Sequence, residues 1–184
     1  FLYTYASYSF LSMYNSFFLV DVVLLSLSFF AFTLSMMSFG NENLCKHFPE
    51  RFPATVIGGL LIFIACILGL MWLKLILTPL MLGAMPTQLE HYTTLTIQAL
   101  DLGFVVPTAI LSGILLIKRK AFGYLLATVI TIKETALLIA ITAMIAIQAI
   151  SGVSVSVATV ALFGMFDVVI IGCFITMLKY IKED

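Results

Sequence analysis

Five stretches of this chain stay apolar for twenty residues or more, interrupted by scattered hydroxyls and an occasional charge: about 16–39, 54–80, 93–117, 121–148 and 155–179. Crossing roughly 30 Å of hydrocarbon takes about 20 helical residues, and each stretch meets that length. The pattern predicts an all-α fold, a polytopic transmembrane helical bundle in one domain over 1–184. It has five full spans plus a partial N-terminal helix. Residues 1–12, FLYTYASYSFLS, are too short to span. Tyr3, Tyr5, Tyr8 and Tyr14 give this start the aromatic character of a membrane interface. It reads as the last turns of an earlier helix, with Met13-Tyr14-Asn15 as the turn.

The polar loops between these stretches carry a second pattern. Lys46 and Arg51, then Lys118, Arg119 and Lys120, then Lys179 and Lys182 all fall on one side of the expected membrane. The opposite loops, 81–92 and 149–154, contain no Lys or Arg, and Glu90 is their charge. The positive-inside rule makes the basic side, with the C-terminus, cytoplasmic. Short linkers imply antiparallel neighbours, and Pro49, Pro53, Pro86 and Ser151-Gly152 punctuate them.

Composition agrees with lipid as the solvent. The 184 residues are 62% hydrophobic and 10% charged, with a mean hydropathy of +1.19. Soluble domains run near 45–50% apolar and about 25% charged. A net charge of zero supplies no basic face for nucleic acid. Cys45, Cys66 and Cys173 have no CxxC spacing, which argues against a disulfide framework or a zinc site; Cys66 and Cys173 read as small core hydrophobes. The start, Phe1, has no initiator Met and no charged n-region, so a signal peptide is not expected there and further chain upstream is.

Within this apolar background some charges stand out. Of the eighteen ionised side chains, six fall within expected spans: Asp21, Lys74, Asp101, Lys133, Glu134 and Asp167. Each costs about 2.5–3.5 kcal/mol at a helix centre, while each Leu, Ile, Phe or Val returns roughly 0.3–0.6 kcal/mol. The spans can insert, but the charges must turn inward or be neutral. Asp101 should lie about 12 Å from the outer boundary at 1.5 Å per residue. Lys74, at similar depth, could pair with it. Asp21 lies near a boundary, where it can be wet.

Two helical faces are polar. Thr94, Gln98, Asp101, Thr108 and Ser112 follow helical offsets along the third span, and Pro107 should loosen the helix near Asp101 because it cannot donate to Gly103. In the fourth span Tyr124, Thr128, Thr131, Thr135 and Thr142 form a similar stripe, with Glu134 on its shoulder. Facing each other, the two could line a polar path. The bland reading is that Ser and Thr glue membrane helices together. For Asp101, Glu134 and Asp167 the functional reading has the better claim, with Lys74 and Lys133 as charge partners. His91, beside Glu90 and Tyr92, and His47 make no convincing metal site. Gly58-Gly59, Gly69, Gly164 and Gly172 read as close-packing points, and Trp72 as an interface anchor.

The stretches FLYTYASYSF, NSFFLV, LEHYTTLTIQALDLGFVVP and IKRKAFGY resemble a family of bacterial and archaeal multi-pass membrane proteins with no assigned activity. The resemblance implies a polytopic prokaryotic membrane protein with additional N-terminal segments, and it gives Asp101 in QALDLG weight as a family feature. It implies no substrate. Quinone-linked thiol oxidoreductases are a poor match, since their CxxC is missing.

The expectation is therefore transport or permeation of a small solute or ion, in a proton-linked form, with Asp101, Glu134, Asp167, Gln98, Thr108 and Thr131 along the path and no cofactor. Its partners would be the lipid bilayer and either a membrane subunit or further copies of the chain. A structural or regulatory membrane subunit is the alternative, and an intramembrane enzyme acting on lipid or quinone is a third reading.

Overall fold

A computed structural model describes residues 18–39, 48–86, 94–152 and 154–181. The described chain is helical, without strands: α1 (Phe18–Ser38), α2 (Ala54–Met81), α3 (Thr96–Ile117), α4 (Ala121–Ile150) and α5 (Val157–Tyr180). All five are long and apolar enough to cross a membrane. The fold is the expected all-α bundle, and helix limits fall within a few residues of the spans read from the sequence. The segment 1–12, the turn at 13–15, Cys45, Lys46, His47, Glu90, His91, Tyr92 and Lys182 lie outside the described residues.

Helix ends follow local chemistry. At the end of α2, Gly83 takes a positive φ of 65°. Its N–H bonds the Leu80 carbonyl at 3.2 Å, and the Ala84 N–H reaches the Pro79 carbonyl at 2.9 Å, a Schellman termination. The end of α3 repeats the device with Arg119, a non-glycine at φ 51°. There the N–H of Arg119 bonds Leu116 and that of Lys120 bonds Leu115. Gly152, at φ 80°, follows the end of α4.

The helices pack in chain order, α2 on α3, α3 on α4 and α4 on α5. Each buries one narrow stripe, such as Ile57, Leu61 and Ala65 on α2 and Ile170, Cys173 and Met177 on α5. Large apolar side chains elsewhere point outward, among them Leu70, Leu80, Phe104 and Val168. A water-soluble chain would bury these, so hydrocarbon must surround them. None of the described side chains of α1 is buried.

A close backbone joint links α2 and α3. A Cβ on Gly58 would sit 2.7 Å from the Gly113 carbonyl oxygen, and one on Gly113 would sit 2.6 Å from the Gly58 carbonyl oxygen. Gly69 faces Val106 at ordinary contact distance, while Gly123 packs against the backbone of Leu115 and Leu116. Gly59, Gly164 and Gly172 have open space around them, so they are not the packing points the sequence suggested. Cys173 is buried as expected, but Cys66 is exposed on the outer surface of α2.

At the end of the bundle where the basic loops lie, residues 48–53 fold across the helices. Phe48 stacks on Tyr124 with ring centroids 4.7 Å apart, and Phe52 meets both Tyr124 at 5.7 Å and Tyr180 at 5.8 Å. Arg119 fastens this segment by donating to the carbonyls of Glu50 at 3.1 Å and Phe52 at 3.4 Å. These contacts join the start of α2, the start of α4 and the end of α5 at one end.

Candidate functional site

Asp101 begins a turn of π-helix, Asp101–Val105, set between two α-helical parts of α3. Its carbonyl accepts from the Val106 N–H, five residues on. Pro107 explains the break: with no N–H it cannot bond Gly103, and the ladder widens just before it. The loosening expected near Asp101 is thus present, in the form of a π turn.

The packed face keeps offsets of three and four through this turn. The buried face of α3 runs Gln98, Asp101, Val105, Ala109, Ser112 and Leu116. Thr108, placed on the stripe by regular spacing, falls off it and is half-buried, with Ala109 in its place. Thr94 is exposed. Because the helix begins at Thr96, Asp101 lies about 8 Å inside its end, shallower than expected.

The partner of Asp101 is Trp72. The indole N–H donates to its carboxylate at 2.9 Å, joining α2 to α3. Trp72 thus turns toward α3; it continues the inward stripe of Gly58, Leu61, Ala65 and Gly69 at offsets of three and four. That spacing was the available sign. The expected Lys74–Asp101 pair is absent: Lys74 is exposed, forms no salt bridge among the described residues, and borders a groove on the outside of α2.

Lys133 and Glu134 face the same region from α4. Their side chains form a salt bridge of 2.9 Å and are 16% and 14% exposed. Both lie within electrostatic reach of Asp101. A cation and two carboxylates thus lie within electrostatic reach of one another where α3 and α4 pack, with Trp72 bound to Asp101 from α2.

Below this group the α4 stripe continues inward. Thr131 is fully buried, and its hydroxyl has no hydrogen-bond partner among the described residues. The neighbouring hydroxyls are spent on their own helix: Thr135 donates to the Thr131 carbonyl, Thr128 to that of Tyr124, and Ser112 to that of Ala109. Such back-bonding is local and makes no interhelical glue. Tyr124 then enters the aromatic cluster with Phe48 and Phe52.

Asp167 stands in a different contact. Its carboxylate accepts from Thr142 of α4, and its second oxygen is buried without a partner among the described residues. Among the expected path residues, the structure brings Asp101, Lys133 and Glu134 together, keeps Gln98 and Thr131 on the adjoining buried faces, and moves Thr108 aside. Among the described residues no cluster of His, Cys, Asp and Glu could hold a metal ion.

The fold and its inward polar groups define the class: a polytopic α-helical integral membrane protein with a cluster of ionisable side chains between three of its helices. Beyond that class, no family model, no curated protein and no solved structure matches the chain.

Proposed function

We propose that this protein moves protons, alone or together with a small solute, through the polar seam between α3 and α4. The carrying observation is that Asp101, at a π turn, lies within electrostatic reach of the Lys133–Glu134 salt bridge across the α3–α4 contact. Buried ionisable groups are costly in hydrocarbon and usually mark ion pathways or proton relays. π turns recur at functional sites because they free backbone groups and re-aim side chains. In this reading Gln98 and Asp101 receive the proton from the far side, Glu134 exchanges it under the charge of Lys133, and Thr131 carries the seam inward. The aromatic cluster of Phe48, Phe52, Tyr124 and Tyr180 closes the basic end. The positive-inside rule makes that end, with the C-terminus, cytoplasmic, in the cell membrane of a prokaryote as the resemblance implies.

The test is proton entry into proteoliposomes loaded with a pH-sensitive dye, driven by a potassium diffusion potential. Entry should be lost in Asp101→Asn/Glu134→Gln. Equal entry in the wild type and the double variant would remove the reading.

A second reading, a membrane subunit, draws on α1, none of whose described side chains is buried within the chain. A helix with no fully buried side chain among the described residues offers surface to another subunit. Under this reading the double variant loses bundle stability and the wild type shows no proton entry. The groove beside α2 has no carboxylate or histidine among its described lining residues, so it lends no support to an intramembrane enzyme.

A further inference from the structure

The groove outside α2 presents a cation to the membrane. It has a volume of about 490 Å³ and is lined by Met71, Lys74, Leu75, Thr78, Leu82 and Met85, among others. Lys74 and Thr78 are four residues apart and so lie on one helix face, and both are exposed. Depth decides what that face meets. Lys74 is twenty residues beyond Ala54, about 30 Å along the axis at 1.5 Å per residue. With Ala54 at the basic boundary beside Phe52 and Arg119, that distance equals the hydrocarbon thickness of roughly 30 Å. Lys74 therefore reaches the opposite headgroup level, while Met71, three residues before it, remains against acyl chains. The remaining turns of α2, to Met81, rise beyond it.

We propose that this groove binds an anionic glycerophospholipid. The Lys74 ammonium and the Thr78 hydroxyl hold the headgroup phosphate, and Met71, about a turn deeper on the same face, lies against the upper acyl segment. Charge complementarity selects the occupant: a cation with no ion-pair partner among the described residues, in a mostly apolar groove at headgroup depth, matches a molecule with one negative end and a hydrocarbon body. The site is separate from the seam of Asp101 and Glu134.

Native mass spectrometry of the protein in mild detergent tests it, with phosphatidylglycerol and phosphatidylcholine of identical acyl chains as probes. The wild type and Lys74→Arg should retain phosphatidylglycerol about fivefold over phosphatidylcholine. Lys74→Gln should bring the two to parity, and Thr78→Val should fall between. Excess inorganic phosphate should displace nothing, whereas displacement would assign the site to a soluble anion and overturn the lipid reading. Parity in the wild type, or a phosphatidylglycerol excess that survives Lys74→Gln, would overturn it as well. Unchanged Trp72 fluorescence in Lys74→Gln checks that the bundle is intact, and Asp101→Asn/Glu134→Gln should retain the lipid as the wild type does. Loss of proton entry and loss of lipid retention are thereby scored independently.

Discussion

Gly58 and Gly113 face each other backbone to backbone, each so close that a Cβ on one would strike the carbonyl oxygen of the other. This approach lets α2 and α3 pack closely enough for Trp72, near the far end of the same face, to reach Asp101.

Substitution of either glycine should therefore part the helices. Gly58→Leu or Gly113→Leu is expected to destabilise the bundle by about 1–3 kcal/mol, the usual cost of overpacking. Gly59→Leu, with open space around it, should have little effect. Detergent-titration unfolding measures the difference, and equal losses at 58 and 59 would refute the joint.

Trp72 is the chain's single tryptophan, so its emission reports directly on the Asp101 contact. Asp101→Leu should shift the emission maximum, whereas Lys74→Gln should not. Trp72→Phe leaves the buried carboxylate without its donor and should cost about 1–3 kcal/mol. Identical emission in the wild type and Asp101→Leu would contradict the geometry.

The Lys133–Glu134 pair predicts non-additivity. Lys133→Met alone strands a carboxylate in a low-dielectric interior and should destabilise by about 3–5 kcal/mol. The double variant Lys133→Met/Glu134→Leu should recover most of that loss, because no isolated charge remains. A double-mutant cycle tests this, and simple addition of the two single effects would show that the pair does not interact.

Arg119 combines a left-handed backbone with a clamp on the 48–53 segment. Arg119→Gly relieves the backbone conformation while removing the clamp; Arg119→Ala removes the clamp and keeps the strain, which is worth about 1–2 kcal/mol. Stability should fall in the order wild type, glycine, alanine. Protease cleavage within 48–53 should rise in both variants.

The bundle was legible in the sequence because membrane insertion depends on length and apolarity, which are linear properties of the chain. The inward turn of Asp101 and Glu134 was legible for the same reason, since hydrocarbon penalises every other orientation of a charge. Thr108 was misplaced because the stripe was drawn through polar side chains alone, whereas the packed face is centred on Val105 and Ala109 and leaves Thr108 at its edge. Trp72 was taken for an anchor because interface aromatics are common, yet its spacing from Gly69 and Ala65 put it on the packed face. Lys74 lies two residues farther on, about 200° around the helix at 3.6 residues per turn, and so faces outward.

The order of apolar and polar residues thus determined by itself the solvent, the helices and the ends at which charge collects, since each depends on transfer energies summed along the chain. Partner choice was decided by the tertiary structure alone. Asp101 could have met Lys74 or Trp72, and the outcome rested on the rotation of α2 against α3, set where Gly58 and Gly113 touch. Contacts between helices depend on relative rotation and depth, and those are properties of the packed pair.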